Sequence, residues 1–285
     1  MTKIPTVAIV IPAYNEEASI RKCLESCLDQ TSPADEIIVV DNNSTDTTVA
    51  IVEAMQKEFP KSHIRLVREP VQGIAVTRNR GFKEAKSDVL GRIDSDSRIS
   101  PEWVAVVREL FADRAVAAAT GPVVYHDMPL SDVGLKVDEK VRDTLQKLAK
   151  DHRFLFGSNM AIRASAWNKI SHLTHDNDPT HELHEDIDIA LTLFENNLEV
   201  VYSAKMIGGM SARRLEDSPR DFYRYIMRFE RTFKVHDVHS AAARIPIFIY
   251  LLIYFPLRTI RKFYDGDTNQ FTLQKLRDEL SRDRS

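Results

Sequence analysis

Two periods of apolar spacing alternate along the first hundred residues. Val7–Ile11 is a continuous apolar run, which suits a strand covered on both faces. The polar segment Pro12–Glu17 stops it. Ile20, Cys23, Leu24, Cys27 and Leu28 then recur at the spacing of one helical face. Asn15 is placed to cap that helix, with Glu16 and Glu17 in its first turn, where the dipole favours negative charge. The pattern repeats. Ile37–Val40 predicts a second strand, ended by the polar cluster Asp41–Asp46 and followed by a helix to Phe59. Ile64–Val67 predicts a third. Gly73 opens a segment holding Arg78, Asn79 and Arg80, and Val89–Ile93 predicts a fourth strand that ends in Asp94 and Asp96.

Strands alternating with helices at this spacing predict an α/β fold with a parallel sheet, helix-covered and joined by right-handed crossovers. In such sheets ligands bind beyond the C-terminal strand ends. Asn15 and Glu16, Asp41, and Asp94 with Asp96 all fall on that edge. Further on, Ser100-Pro101-Glu102 is a helix start, and Val116–Tyr125 is strand-like. Asp132–Lys150 has a polar helical pattern. Phe154–Arg163 holds a Gly-Ser-Asn turn between apolar residues. Glu185 and Asp186 open a helix running to Asn196, and short strands follow at Val200–Tyr202 and Met206–Met210. From Ser218 the character changes. Ser218-Pro219 starts a helix with Phe222, Ile226, Phe229 and Phe233 on one side and Arg220, Arg224, Arg228 and Arg231 on another. The apolar run Ile245–Leu257 follows, then Arg258, Arg261 and Lys262, and a charged stretch over 272–285. The expected organisation is one α/β unit over 1–215 and a helical extension over 216–285.

Composition narrows the class. A chain of 285 residues with a formal net charge of -3 has ample core and no bulk charge suited to nucleic acid. Its two cysteines lie one helical turn apart and read as core residues of a reducing compartment. The N-terminus has no basic-then-apolar leader pattern, and no apolar run reaches the ~20 residues that span a bilayer. A cytoplasmic protein is expected, with attachment to the inner membrane face left open.

The chemistry begins with Asp94-Ser95-Asp96. Two carboxylates one residue apart at a strand end suit a hard cation, Mg2+ or Mn2+, which leaves positions open for phosphate oxygens. Such an ion would neutralise a leaving diphosphate. A plain polar loop is the competing reading. Asp41 could accept from a nucleobase and ribose, or cap a turn. Arg78 could hold a phosphate, or be a surface arginine. Glu185 or Asp186 could act as general base on an acceptor hydroxyl, its pKa lowered by the helix N-terminus, or simply complement the dipole. Histidines 172, 175, 181 and 184 suggest an acceptor-binding loop ahead of a zinc site, whose spacing rules are tighter.

In order and spacing, Val10–Glu16, Val40–Thr47, Arg78-Asn79, Asp94–Asp96, Gly157–Asn159 with Arg163, and Glu185-Asp186 resemble family 2 glycosyltransferases of the GT-A fold. The resemblance runs from Val7 to Met210. It implies a GT-A, Rossmann-like, mainly parallel sheet and transfer of a sugar, with inversion, from a nucleotide diphosphate. Uridine is expected ahead of guanosine. The residues matched to the donor pocket are Pro12, Tyr14, Glu16, Asp41, Arg78, Asp94, Ser95 and Asp96, with Asp96 the closer metal ligand. Asp186 is matched to the base, with Glu185 as alternate. His184, Asn159, Arg213 and Arg214 are weaker candidates for the acceptor or diphosphate. His236 and His239 are available as a further metal ligand. The Gln-x-x-Arg-Trp motif and spanning helices of processive synthases are missing from the sequence, so one addition per encounter is expected. A sugar nucleotidyltransferase is the alternative, but no glycine-rich loop with lysine opens this chain. A non-catalytic sugar-nucleotide binder is another, against which the four acids stand.

The extension leaves its contacts open. The run over 245–257 could lie on a membrane with Arg258, Arg261 and Lys262 near head groups, which suits a lipid-linked or saccharide acceptor. It could equally pack on the catalytic unit or form a homodimer contact.

Overall fold

The computed structural model describes residues 4–129, 155–175, 183–239, 241–266, 268 and 270–273. The helix expected over 132–150 and most of the charged terminus lie outside the described residues. Alternation along β1 (Val7–Ala13) sends Val7, Ile9 and Ile11 to one side of the sheet and Val10 to the other. Helices therefore cover both faces. On the first side pack α1 (Ile20–Leu28), α2 (Thr48–Glu58) and α4 (Trp103–Phe111). On the second pack α3 (Ile74–Glu84), α5 (Ala164–Ile170) and α6 (Glu185–Glu195). Cys23 and Cys27 are free and buried in the first core.

The sheet runs β3 (Ile64–Arg68), β2 (Glu36–Asp41), β1, β4 (Val89–Arg92), β8 (Met160–Arg163), β6 (Val116–Thr120), β9 (Glu199–Tyr202). Pairing is parallel from β3 to β4 and between β6 and β9; β8 is antiparallel to both its neighbours. Register sets Asp41 beside Ala13 and Arg92 beside Val10, so the polar loops after three strands open on one edge. A small second sheet of β5 (Arg98–Ile99), β10 (Gly208–Met210) and β7 (Val123–Tyr125) borders that edge.

Several expectations change. Asn15 does not cap α1, which begins five residues later. It takes φ 54°, and its Oδ1 accepts from the Thr45 N–H at 2.8 Å, tying the first loop to the second. Glu16 and Glu17 likewise precede the helix. The strand expected over 116–125 breaks in two at Gly121-Pro122, where a Cβ on Gly121 would fall 2.0 Å from the Met206 carbonyl oxygen. β8 lies within the stretch expected to hold a turn, and α5 follows it where no element was expected.

The extension is two helices. Ser218 caps α7 (Pro219–Val235), its hydroxyl accepting from the Asp221 N–H at 3.2 Å. α8 (Ala241–Phe263) carries Pro246 and Pro256 within one helix. Phe222, Ile226 and Phe233 of α7 share a core with Ile247 and Tyr254 of α8 and with Ile187 and Leu191 of α6. Phe248, Leu252 and Phe255 of α8 remain well exposed, at 79%, 78% and 62%. Two of the basic residues expected at lipid head groups are used internally. Arg261 is buried between Asp127 and Glu216, at 2.8 Å from each, and Arg258 donates to the Asp217 carbonyl at 2.9 Å. Among the described residues no helix is long and apolar enough to cross a membrane.

Candidate active site

β4 ends in Arg92, and this residue joins the two expected carboxylate groups. Its Nη2 lies 2.8 Å from Asp94 Oδ1 and 3.1 Å from Glu185 Oε1. The guanidinium is buried, with the side chain 4% exposed. It crosses directly over Gly157, where a Cβ would fall 1.4 Å from Nη1. Only a glycine leaves room for it. The Gly157 N–H in turn donates to Asp186 Oδ2 at 2.8 Å, while the Ile187 N–H donates to Oδ1 at 2.9 Å. One turn thus makes way for the arginine and aims the expected base.

Neighbouring charge separates the titration of the pair. Burial opposes charge on Glu185, but Arg92 and then Arg78 outweigh it and hold its pKa below the usual range. Asp186 is pushed up to about 6, first by burial and second by the Glu185 charge. The expectation that the helix N-terminus lowers this pKa is therefore corrected. The two backbone N–H groups do favour the ionised form, yet desolvation wins. A carboxylate near 6 is ionised at neutral pH and basic enough to take a proton.

Asp96 is buried, and burial, then Asp94, raise its pKa to about 7. Arg213 is the main opposing charge. Its Nε lies 2.9 Å from Asp96 Oδ2, and its Nη1 and Nη2 donate to the two Glu16 oxygens at 2.8 and 2.6 Å. Asp127 stands nearby, held by Arg261, Ser211 and the Ala212 N–H. An arginine thus bridges Glu16 and Asp96, where clustered carboxylate oxygens need positive charge. That donor set is all oxygen and fits a hard divalent cation, with Asp96 and Asp94 to hold it.

The other expected residues differ in their surroundings. Asp41 is buried at the end of β2 and accepts from the Ser44 N–H at 3.2 Å. Pro12 and Ser95 are buried, and Tyr14 is half exposed beside the same edge. Arg214 pairs with Asp217 at 3.0 Å and lies over Tyr225. His184 is buried against Phe229 and Tyr225, and burial lowers its pKa to about 4, so its ring is neutral. Two candidates are placed elsewhere than expected. Arg78 is fully buried; it lies over the Trp167 ring and donates to the Glu185 carbonyl at 3.3 Å, supporting α6 from below. Asn159 is also fully buried. Its amide donates to the Pro122 and Met206 carbonyls at 2.9 and 2.7 Å and accepts from Trp103 Nε1 at 2.7 Å, so it joins strands instead of facing a ligand. His236 pairs with Asp188, not with the aspartates after β4.

Sequence reasoning missed Arg92, Tyr225 and His126. Arg92 had a signal, a charge at the end of an otherwise apolar strand. Tyr225 approaches from α7, and burial followed by the Asp186 charge raises its pKa. His126 Nε2 lies 3.0 Å from the Asp96 carbonyl oxygen. Neither has a local pattern to mark it.

Comparison with known proteins identifies the family and the fold. Residues 8–171, more than half the chain, match the family described as glycosyl transferase family 2. The putative glycosyltransferase EpsH of Bacillus subtilis is 28% identical over 166 residues, covering 58% of this chain and 46% of that protein. The chondroitin synthase of Pasteurella multocida is 31% identical over 196 residues, 68% of this chain and 19% of that protein. The matches thus span less than half the length of these relatives. Among solved structures, a mannosyltransferase from Pyrobaculum calidifontis in complex with GDP-Man and Mn2+ aligns with a TM-score of 0.61 at 19% identity, over 91% of this chain and 74% of that one. TarS of S. aureus with UDP-GlcNAc aligns with a TM-score of 0.55 at 20% identity, over 87% and 72%. These neighbours share the GT-A fold with this chain. Sheet, loop edge, paired acids and matched residues lead to one statement: the chain belongs to glycosyl transferase family 2.

Proposed function

We infer that this enzyme moves a single sugar from a nucleotide diphosphate sugar, uridine ahead of guanosine, to a hydroxyl or phosphate acceptor, with inversion at the anomeric carbon. The observation that carries the reading is the bridge at Arg92, which sets Asp94, beside the cation-holding Asp96, and Glu185, the neighbour of the base Asp186, on one buried guanidinium. Asp41, Pro12, Tyr14 and Glu16 line the nucleotide side, and Asp94 and Asp96 hold Mg2+ or Mn2+. That cation, when bound, offsets negative charge on the departing diphosphate. Arg213 is charged, half exposed and able to turn from Asp96 to a phosphate oxygen. Asp186 takes the acceptor proton, and its two backbone donors keep the carboxylate aimed. The catalytic work falls to 1–215, and the extension over 216–285 shapes the acceptor side through Tyr225. The donors named for two structural neighbours, GDP-Man and UDP-GlcNAc, make nucleotide sugars the first compounds to try.

A panel of UDP- and GDP-sugars followed by mass spectrometry, with and without Mn2+, tests this directly. At least one donor is expected to be hydrolysed or transferred, with activity at least ten-fold lower in chelator. No metal-dependent turnover of any donor overturns the reading.

The exposed stripe on α8 is read as the surface that brings the enzyme, from the cytoplasmic side, to a membrane holding a lipid-linked acceptor. Because Arg258 and Arg261 are used internally, attraction to anionic lipid is weak and apolar burial dominates. Vesicles of neutral and anionic lipid should therefore bind the protein similarly, with little salt dependence, and Leu252→Asp should abolish binding. Absence from both vesicle types, together with a dimer in sedimentation that Leu252→Asp dissociates, assigns the stripe to a second copy instead.

A further inference from the structure

Successive helix residues turn by about 100°, so Asp188 points to the flank of α6 opposite Asp186. There it meets two histidines from other elements. Asp188 Oδ1 lies 2.7 Å from His175 Nδ1, after α5, and 2.8 Å from His236 Nε2, at the C-cap of α7. Asp188 Oδ2 accepts from the His175 N–H at 2.8 Å, which fixes the carboxylate and leaves Oδ1 for the two rings. The rings stand edge to face, 5.1 Å apart. The three ligand atoms lie within 4.8 Å of one another. Asp188 and His236 are buried at the side chain, 2% and 3% exposed.

A fourth residue completes the arrangement. Glu195, two turns along α6, holds His236 Nδ1 at 2.7 Å. A neutral imidazole has one N–H. If Glu195 takes it, Nε2 presents a lone pair to Asp188 Oδ1, and something positive belongs between them. A carboxylate behind a histidine is the recurrent outer-shell support of a metal-bound imidazole, since it fixes both the tautomer and the ring plane. Two imidazole nitrogens and one carboxylate oxygen, with a position left for water, suit a borderline ion better than the all-oxygen set at Asp94 and Asp96.

We propose that His175, Asp188 and His236 form a second metal site, selective for Zn2+, that clips the segment after α5 and the end of α7 onto α6. Its role is positioning. α6 carries Glu185 and Asp186 on its first turn, and α7 carries Tyr225 over them; a clip between the helices fixes the spacing of base and lid.

The test uses full-length, untagged protein, stripped by chelator and titrated at about pH 8, where protons compete little for imidazole. Calorimetry with Zn2+ should show one tight site per chain, and Co2+ should give visible absorption of a low-coordinate nitrogen site. The melting temperature should rise by several degrees with Zn2+ and much less with Mn2+. Asp96→Asn should keep all three signals. His236→Ala and His175→Ala should each lose them; His175 is half exposed, so its replacement leaves the fold intact. Zinc binding that persists in both histidine variants, or that disappears in Asp96→Asn, overturns the site. So does the absence of any tight zinc in the parent protein, which would make His236 a protonated staple between Asp188 and Glu195.

Discussion

Asp186→Asn is expected to lower the transfer rate by about 10²–10⁴-fold, the range of a lost general base, while donor binding changes little. The substitution also has a structural cost. The carboxylate accepts from Gly157 on one oxygen and Ile187 on the other, and an amide can accept on only one side. One buried N–H then faces an NH2 group, at about 1–3 kcal/mol. Donor affinity by calorimetry and the melting temperature separate the two effects; loss of donor binding in a folded variant moves Asp186 out of the base role. The pH profile of the parent enzyme gives a second check. A base must be ionised, so with saturating cation the rate should fall as pH drops through about 6, where Asp186 titrates. Asp96 titrates at about 7 without metal, so at low cation a second limb should appear there. A bound cation favours the ionised carboxylate, so that limb should move to lower pH as metal is added, and the Asp186 limb should not. Glu185→Gln removes the like charge that raises Asp186, and should shift its limb to lower pH. A limb that ignores Glu185→Gln and follows metal throughout argues that only Asp96 is being titrated.

The first four strands and their parallel sense were legible because each is a short apolar run closed by a polar loop. That pattern carries period, length and edge at once. What could not be read was the antiparallel β8. Met160–Arg163 is only four residues long and directly abuts α5, so no turn residues separate the strand from the helix. The proline-containing α8 was obscure for a different reason. Pro246 and Pro256 read as boundaries, whereas tertiary packing of Ile247 and Tyr254 on α7 carries the helix through both.

At the site, the acids were legible and their counter-charges were not. Asp41, Asp94, Asp96, Glu185 and Asp186 each stand at an element end, which spacing reveals. Which arginine reaches which acid depends on contacts between elements far apart in sequence: Arg213 with Glu16, 197 residues away, and Arg78 with Glu185, 107 away. Arg78 also shows why residue type alone misleads. In sequence it is a helical arginine near a loop edge, suited to phosphate. Burial on Trp167 turns it inward, so that it holds the backbone of the helix that carries Glu185 and Asp186.

Arg92→Met should cause the largest loss of stability. It deletes the buried cation held between Asp94 and Glu185 and leaves two partly buried carboxylates facing one another, with Asp186 beside them. Removing one partner of a buried ion pair costs about 3–5 kcal/mol. A drop in melting temperature of about 10 °C follows for a protein of this size. The pH dependence carries a sign. In the parent, Glu185 has a folded pKa below its unfolded value, so it adds stability above the unfolded pKa that is lost as pH falls through the folded one. Without Arg92 that contribution disappears and the carboxylates rise together, so the variant's deficit should be full at neutral pH and shrink on acidification. A deficit independent of pH would mean that packing, not charge, is what Arg92 supplies. Arg92→Lys should recover part of the loss, because one guanidinium nitrogen meets both acids and an ammonium can stand near that point. Gly157→Ala completes the comparison by keeping the charge and moving it. The added Cβ occupies the place of Nη1, so the guanidinium must leave its line between Asp94 and Glu185. Displacing a positioned group by about 1 Å can cost 10²-fold in rate. Gly157→Ala should therefore lose rate on that scale while losing less stability than Arg92→Met. Equal loss of both quantities in the two variants would show that Arg92 only holds the fold together; a loss of rate out of proportion to stability in Gly157→Ala would show that it also sets the distance between leaving group and base.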